Sequence, residues 1–545
     1  MAIVGMAFRL PGDLSTRESL WQALKEGRDL VSEVSSDRWA TDTYQHPRRS
    51  EPGKSVTFSA GVLSDADQFD PGFFGISPRE ANKLDPQQRL LLELTWRTFE
   101  DAGIPTERLA GSDCAVYVGI SGLDYGMRIL DDMPGMNAYS MTGSTLSIAA
   151  NRISYTFDLH GPSMAVDTAC SSSLVALHMA CETVRRGEAS TALVGGVNML
   201  LHPYPFVCFS KASMLSAQGR CRTFAADGDG YVRSEGGGMF LIKTLEQAQR
   251  DGDRIHALIR ATGTNADGAR KSGLTIPSPE GQMSLIQTVL GRSGLRADEI
   301  DYIEAHGTGT SVGDPIETHA LGQALGQHRA TNAPLPIGSI KSNLGHMEPA
   351  SGVAGMVKAI LTLQNREIPP SIHAQILNPD IDFAGLNLKV ATQAISLAGR
   401  DHPLHVGVNS FGFGGANAHA ILEEAPTQNP VACQAPSRLP PLILSTRSDD
   451  ALTAYAQLYL PLLANNAAAL PSIAFNAALR RDWLDQRCAI FGDTADELQT
   501  RLQALAAGES PRGVVRETAL EKTAGSTGKV AFVYSGNGAQ WLGMA

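Results

Sequence analysis

Cys170 is the side chain in this sequence best placed to act as a nucleophile. It lies in segment 166–174 (VDTACSSSL), between a short apolar run at 163–167 and a stretch whose apolar residues continue with helical spacing from Leu174. This pattern predicts a cysteine at a helix N-terminus, where free backbone N–H groups favour the thiolate and lower the pKa of the thiol. A small buried core residue is the alternative for any single cysteine, because free cysteines are among the most buried residues.

Two histidines, each just after a predicted strand, supply the groups that such a nucleophile needs nearby. His306 lies in segment 304–310 (EAHGTGT) after the apolar run 300–303, and His346 lies in segment 341–348 (KSNLGHME) after the run 335–340. Strand ends are where α/β folds place their chemistry. A lone histidine in a glycine-rich loop is more often structural, but a cysteine with two such histidines offers a nucleophile and two imidazoles for proton transfer or oxyanion stabilisation.

The elements that must position these residues alternate between strands and helices. Runs such as 114–120 and 191–197 have strand character, whereas 87–102 has helical spacing, so the sequence predicts α/β layers. The helix after Cys170 has a faint counterpart at 350–361 (ASGVAGMVKAIL), which also follows an apolar strand and loop. Both stretches are rich in small residues, which predicts helices packed on all sides in a central layer.

Longer motifs resemble one family, the β-ketoacyl synthases, and within it the ketosynthase domain of modular type I polyketide synthases. The resemblance covers about residues 1–425 and implies a duplicated five-layer αβαβα thiolase-type fold that forms homodimers, with halves near 1–245 and 246–425. Besides the three segments above, it is carried by 3–12 (IVGMAFRLPG), 74–81 (FGISPREA), 84–89 (LDPQQR), 228–233 (GDGYVR) and 407–419 (GVNSFGFGGANAH).

The resemblance also implies a mechanism with two steps. Cys170 would take an acyl chain from the phosphopantetheine arm of an upstream carrier protein. A malonyl-type extender on a downstream carrier would then lose CO2, and its enolate would attack the acyl group in a decarboxylative Claisen condensation. His306 and His346 would stabilise the enolate, with the division of labour between them left open, and the backbone N–H groups of Cys170 and Phe413 would form the oxyanion hole.

Further residues receive supporting roles from the same resemblance. Lys341 and Glu317 are predicted to form a buried pair that orients the His346 loop. The residues predicted to contact pantetheine or the acyl chain are Thr308, Thr310, Phe411 as a gate between the acyl and extender pockets, and Asn409.

The chain changes character near residue 425. Segment 426–440 is rich in proline and reads as a connector. Residues 441–527, with strands near 442–445 and 487–491 and helices near 449–463 and 470–479, resemble the small α+β linker domain that joins ketosynthase to acyltransferase. Residues 528–545 resemble the start of the acyltransferase, which is expected in the same polypeptide. The Gly-x-Ser-x-Gly match at 309–313 is interpreted as chance, so we expect no malonyl loading by this chain.

Composition limits the possible partners. The 545 residues carry a net charge of −11, which disfavours nucleic acid and acidic membranes and requires a local basic patch for an acidic carrier domain. Seven scattered cysteines without a C-x-x-C pair indicate neither a zinc site nor a disulfide framework. No apolar run approaches a membrane span, so a reducing cytoplasm is expected. We expect no bound metal or intrinsic cofactor, because phosphopantetheine arrives with the carrier.

Three alternatives compete with this interpretation. A thiolase would need a second late cysteine, and the 407–419 loop has none. A fatty acid synthase ketosynthase shares the chemistry, although segment 219–233 is more similar to polyketide enzymes. A catalytically silent docking scaffold is disfavoured by the intact cysteine and histidines. Phe8 stands where the family often has cysteine, but this position is remote from the motifs of the chemistry.

Overall fold

The structure, a computed structural model, describes residues 1–130, 132–427, 439–465 and 469–519. The chain divides into two units, Met1–Ala432 and Cys433–Ala545. The predicted acyltransferase start at 528–545 and most of the predicted connector lie outside the described residues. No helix in the described part of the chain has the length and apolar character needed to span a membrane.

The first unit holds sixteen of the strands that the structure describes. In chain order they are β1 (Ala2–Arg9), β2 (Val31–Glu33), β3 (Ser59–Gly61), β4 (Ala115–Gly119), β5 (Ser163–Val166), β6 (Thr191–Asn198), β7 (Arg233–Ser234), β8 (Gly236–Lys243), β9 (Ala257–Ala266), β10 (Tyr302–Glu304), β11 (Leu335–Gly338), β12 (Glu367–Ile368), β13 (Leu388–Val390), β14 (Ile395–Ser396), β15 (His405–Phe411) and β16 (Ala416–Glu423).

The helices of the first unit fill the loops between these strands. They are α1 (Arg17–Lys25), α2 (Thr41–Tyr44), α3 (Pro78–Ala81), α4 (Pro86–Ala102), α5 (Thr106–Leu109), α6 (Asp124–Leu130), α7 (Ser140–Ser144), α8 (Leu146–Phe157), α9 (Ser172–Arg185), α10 (Pro203–Lys211), α11 (Leu245–Asp251), α12 (Pro279–Ser293), α13 (Gly313–Ala324), α14 (Lys341–Leu344) and α15 (Ser351–Asn365).

The strand order shows that the unit is duplicated. In the first half the strands run β1-β8-β6-β4-β5, and in the second they run β9-β16-β15-β10-β11, with β13 added at the edge. Counted along the chain, both halves have the order first, fifth, fourth, second, third. Both also have two antiparallel pairings followed by two parallel ones. The halves are joined where β1 pairs with β9, at Ala2 with Leu258 and Ile3 with Ala257.

Helices α9 and α15 form the central layer between the two halves of the sheet. Each contacts strands of both halves, while α4 and α8 cover the outer face of the first half and α12 covers that of the second. Every residue of α15 from Ser351 to Leu363 is buried, including Lys358, whose Nζ lies 2.8 Å from a carboxylate oxygen of Glu304. The predicted five-layer arrangement is confirmed, as is the equivalence of the two small-residue helices.

Two strands of the second half are shorter than predicted. β11 ends at Gly338, two residues before the predicted end, because the N–H of Ile340 donates to the Glu304 carboxylate (2.6 Å) and the chain turns into α14. β10 begins at Tyr302, two residues later than predicted, because a short 3-10 turn occupies Ala297–Glu299.

The second unit is a small α+β structure. Antiparallel strands β17 (Leu442–Thr446), β18 (Gln486–Ile490) and β19 (Val514–Thr518) pack with helices α16 (Asp449–Asn465), α17 (Leu470–Leu479) and α18 (Ala495–Ala506) around a leucine-rich core. Helix α18 and strand β19 were not predicted from the sequence. The signal for α18 was present, since Thr494 caps the helix by accepting the N–H of Glu497, and Leu498, Leu502 and Leu505 repeat on one buried face.

Candidate active site

Cys170 sits on a strained turn between β5 and α9. The preceding residue, Ala169, has φ = 57°, a left-handed conformation that costs a residue with a Cβ roughly 1–2 kcal/mol. Asp167 and Ser172 hold the turn by accepting the N–H groups of Ala169 and Thr168, each at 2.9 Å. The turn therefore fixes where the nucleophile points.

Two serines of the second half anchor the backbone of the nucleophile. The carbonyl oxygen of Cys170 accepts the hydroxyls of Ser410 (2.7 Å) and Ser351 (3.0 Å). These hydroxyls also lie 3.1 Å from each other. Neither serine was predicted as a site residue, although both lie within sequence segments quoted above, 407–419 and 350–361.

The pKa of the Cys170 thiol corrects a prediction. Burial raises the pKa to about 12, and the Glu348 carboxylate adds to the rise. The backbone N–H groups of Phe413 and Cys170 and the Lys341 ammonium act in the opposite direction, but they do not offset the desolvation of the thiolate. The direction of this shift is opposite to the lowering of the pKa that was predicted for a thiol at the helix N-terminus.

His306 is held by a buried carboxylate below its loop. Glu317, on α13, accepts the N–H groups of His306 (2.7 Å) and Gly307 (2.8 Å). The Nδ1 atom of His306 accepts the N–H of Phe411 at 3.4 Å. Because a backbone N–H can only donate, the proton of the neutral ring lies on Nε2.

His346 is held in the same tautomer as His306 by a different backbone N–H group. Its own N–H donates to the carbonyl of Val232 (2.7 Å), and its Nδ1 accepts the N–H of Glu348 (3.3 Å). The Nε2 atom is buried without a hydrogen-bond partner.

Burial, with the positive charges of Lys341 and Arg233 as further causes, holds the pKa of His346 well below its usual value. For His306, burial and then Lys341 and His346 lower the pKa similarly, so both rings are neutral Nε2–H donors at pH 7.

The three predicted catalytic residues converge. One reactive atom each of Cys170, His306 and His346 lies within 4.8 Å of the others, and the two imidazole centroids are 5.2 Å apart at 86°. They line a cavity of about 250 Å³. The spacing of these three atoms would also suit a metal ion. Both Nδ1 atoms accept backbone N–H groups, however, so the Nε2 atoms that face the cavity carry the ring protons. The arrangement favours donation to a developing negative charge.

Five other predicted residues line the same cavity: Phe411, Phe413, Thr308, Thr310 and Glu317. The Phe411 ring packs against His306, with centroids 5.7 Å apart, and the two threonine hydroxyls lie 3.2 Å from each other. A Cβ on Gly412 would stand 2.5 Å from the Thr168 carbonyl oxygen, so the loop carrying the Phe413 N–H needs glycine there.

Two predicted supporting roles need correction. Glu317 and Lys341 are both buried as predicted, and their charges interact. No ion pair within 4.0 Å joins these two described residues, however, and Glu317 accepts hydrogen bonds from the His306 loop rather than orienting the His346 loop. Burial lowers the pKa of Lys341, and this cation acts on the site through its field on the thiol and both imidazoles. Asn409, predicted to contact substrate, is instead buried between Glu317 (2.9 Å) and the Nδ1 atom of His419 (2.7 Å) and does not line the cavity.

Comparisons with known protein families match most of the chain. Residues 1–248 match the β-ketoacyl synthase N-terminal domain, residues 256–375 match the β-ketoacyl synthase C-terminal domain, and residues 378–480 match the ketoacyl-synthetase C-terminal extension. These three matches follow one another without overlap.

Curated relatives match over the full chain. Polyketide synthase GfsA of Streptomyces halstedii is 41% identical over 550 residues, and the spectinabilin polyketide synthase system protein NorA' of Streptomyces orinoci is 42% identical over 550 residues. All of this chain is covered in both cases. The chain spans only 7% of the first relative and 15% of the second.

Solved structures are similar over nearly the whole chain. The oxazolomycin ketosynthase domain of Streptomyces albus JA3453 has a TM-score of 0.88 and 38% identity, with 97% of this chain and 92% of that chain covered. The ketosynthase from module 6 of the bacillaene synthase of Bacillus subtilis 168 has a TM-score of 0.84 and 34% identity, with 95% and 87% covered.

Proposed function

Because the chain belongs to the β-ketoacyl synthase family, in its polyketide synthase ketosynthase branch, we propose that it elongates a polyketide chain by decarboxylative condensation. The observation that carries the proposal is the meeting of Cys170, His306 and His346 within 4.8 Å at one cavity. A nucleophile beside two neutral N–H donors suits both halves of this reaction.

The first step transfers an acyl group to Cys170. The Cys170 sulfur attacks the carbonyl carbon of a thioester on a carrier's phosphopantetheine arm, and the N–H groups of Cys170 and Phe413 stabilise the oxyanion. The carbon–sulfur bond to pantetheine then breaks, and the departing thiolate receives the proton that Cys170 gives up. Because burial raises the pKa of the free thiol, we expect its proton to leave as the sulfur attacks the substrate.

The second step forms the carbon–carbon bond. A malonyl-type thioester loses CO2, and the electron pair of the broken bond makes an enolate whose oxygen accepts the Nε2–H groups of His306 and His346. The enolate carbon attacks the acyl carbonyl, and collapse of the oxyanion expels the Cys170 thiolate. Each donor at such an oxyanion is worth about 100- to 1,000-fold in rate. We assign no separate roles to the two imidazoles.

Substrate positioning falls to residues that line the cavity. Thr308 and Thr310 present hydroxyls suited to the amides of pantetheine, and Phe411 separates the acyl pocket from the extender pocket. Acyl carrier protein domains would be the donors in both steps.

We also propose a domain organisation and a dimer for this chain. Residues 1–425 would be the synthase, 426–440 a connector, 441–527 the linker domain and 528–545 the start of an acyltransferase in the same polypeptide. A homodimer is supported by β5, an edge strand of the large sheet on which Met164 is 41% exposed, and by Tyr155 on neighbouring α8, 88% exposed. Location in the cytoplasm stays a prediction.

The proposal is tested by intact-protein mass spectrometry after incubation with a short acyl N-acetylcysteamine thioester. We expect one acyl adduct on the parent chain and none on the Cys170→Ala variant. An adduct that persists in the variant, or no adduct on the parent with any acyl group, would remove the basis for the covalent step.

A further inference from the structure

Arg233 and Glu348 form a largely buried ion pair next to His346 but outside the cavity. The Arg233 Nε and Nη2 atoms donate to the two Glu348 carboxylate oxygens at 2.6 and 2.8 Å, a bidentate arrangement. Arg233 is 3% exposed, and its guanidinium lies over the rings of Phe206 and Phe209. Neither member of the pair lines the cavity, so contact with substrate does not account for it.

The pair holds a backbone conformation that the sequence disfavours. Glu348 has φ = 47°, a left-handed conformation that is uncommon for residues other than glycine. Its carboxylate is fixed by Arg233 and, at 3.4 Å, by the Asn198 side-chain amide. Anchoring both carboxylate oxygens stabilises the turn, which aims the Glu348 N–H at the Nδ1 atom of His346.

That single N–H decides what His346 can do. While Nδ1 accepts it, the ring proton stays on Nε2, the nitrogen left unpartnered for the substrate. If the Glu348 peptide rotated away, the proton could move to Nδ1, and Nε2 would become an acceptor that repels an enolate oxygen. A link therefore runs from Arg233 through the Glu348 carboxylate and backbone to the His346 tautomer.

We propose that Arg233 is a positioning residue, which fixes the Glu348 turn and so keeps the His346 Nε2–H available to the extender. This inference rests on the proposed function, since it concerns the decarboxylation and condensation steps. It assigns Arg233 no part in acyl transfer to Cys170, which relies on the N–H groups of Cys170 and Phe413.

The sharpest test exploits the left-handed turn. Removing both charges avoids leaving one ion buried alone, so the comparison uses Arg233→Met combined with either Glu348→Ala or Glu348→Gly. Glycine adopts the left-handed conformation without strain, whereas alanine does not. We expect the alanine double variant to lose about 100-fold or more in CO2 release from a malonyl thioester, as for loss of one oxyanion donor. The glycine double variant should regain most of that rate.

Cys170 acylation, followed by intact mass on the same samples, separates this inference from the proposed function. Acylation should persist in both double variants, at the parent rate or above it, because losing Glu348 removes a charge that raises the pKa of Cys170. A parent that is never acylated would refute the proposed function instead. As a control, Arg366→Met with Glu424→Ala removes an ion pair away from the cavity (2.7 Å) and should spare CO2 release. Equal CO2 release from the alanine and glycine variants, or parallel loss of acylation and CO2 release, would overturn the role of Arg233.

If neither double variant folds, Arg233→Lys provides a second test. Lysine keeps the charge but cannot make the bidentate contact. We expect its CO2 release to fall while acylation persists, with the acid limb of the pH profile displaced. His346, Lys341, Tyr231 and Asp124 are the charged or titratable neighbours that contribute to this profile. A profile and rate matching the parent would contradict the inference.

Discussion

The two halves of the first unit share one strand order but contribute opposite kinds of chemistry. In the first half, the third strand (β5) leads to Cys170 and then to the central helix α9. In the second half, the third strand (β11) leads to His346 and then to the central helix α15. The same place in the fold thus carries a nucleophile in one half and a hydrogen-bond donor in the other.

The difference lies in how each half controls a proton. Around Cys170, burial keeps the proton on sulfur, with the pKa raised to about 12. Around His306 and His346, burial keeps a second proton off each ring, and a backbone N–H decides which nitrogen holds the first. Desolvation favours the neutral form of the side chain in both halves. A thiol is neutral when it carries its proton, whereas an imidazole is neutral when it carries one ring proton instead of two, so the same effect has different chemical results.

Replacing Cys170 should separate the contributions of the two halves to the reaction most clearly. For Cys170→Ala we expect condensation to fall at least about 10⁴-fold, a loss typical of removing a catalytic nucleophile. CO2 release from a malonyl thioester should continue, because both imidazole donors remain. Measuring product and labelled CO2 in parallel checks this, and equal loss of both would mean that the halves do not act separately.

Removing a donor from the second half should give the reverse pattern. His306→Ala and His346→Ala should each lower CO2 release by about 100- to 1,000-fold while acylation of Cys170 persists. His328→Ala, which alters an exposed histidine outside the cavity, is the matched control. Loss of acylation in either active-site variant would show that the imidazoles also serve the first step.

A smaller effect on activity and stability is expected from changing Glu317, which holds the His306 loop. Glu317→Gln replaces an acceptor of three hydrogen bonds with an amide that places a donor among donors. Hydrogen bonds to charged groups contribute about 1.5–3 kcal/mol, so the free energy of unfolding should fall by about that amount. Urea unfolding and CO2 release should decline together, and an unchanged variant would contradict this role.

The smallest effect is a pH dependence of stability. Both active-site histidines have lowered pKa values, so the unfolded chain binds more protons than the folded chain below about pH 6.5. The free energy of unfolding should therefore decrease on acidification, by at most about 1.4 kcal/mol per pH unit for each ring. Denaturant unfolding between about pH 7 and 5 should give a shallower slope for His346→Ala, and identical slopes would contradict the buried neutral state.

The sequence was sufficient where a residue's role follows from its neighbours in the chain. The strand–loop–helix pattern around Cys170 and the two histidine loops predicted three residues that the structure brings together. It was insufficient where a role depends on distant partners. Nothing local shows that Glu317 binds backbone rather than Lys341, that Asn409 faces Glu317 and His419, or that burial dominates the thiol pKa.

The duplication of the fold was likewise hard to predict from the sequence. The small-residue helices at α9 and α15 gave only a faint repeat, because the fold constrains helix packing and strand order more than residue identity. Arg233 stands at the end of a quoted motif, but its ion-pair partner Glu348 is 115 positions away in the chain.

The pairing of β1 also shapes how the chain is made. Residues Ala2–Arg9 lie beside Gly236–Lys243, so during synthesis β1 stays without this partner until β8 has been made. At usual translation rates of about 5–20 residues per second, that wait is on the order of 10–50 s. Throughout it the apolar strand 2–8 is open to wrong partners, which makes the nascent first half a natural client for chaperones.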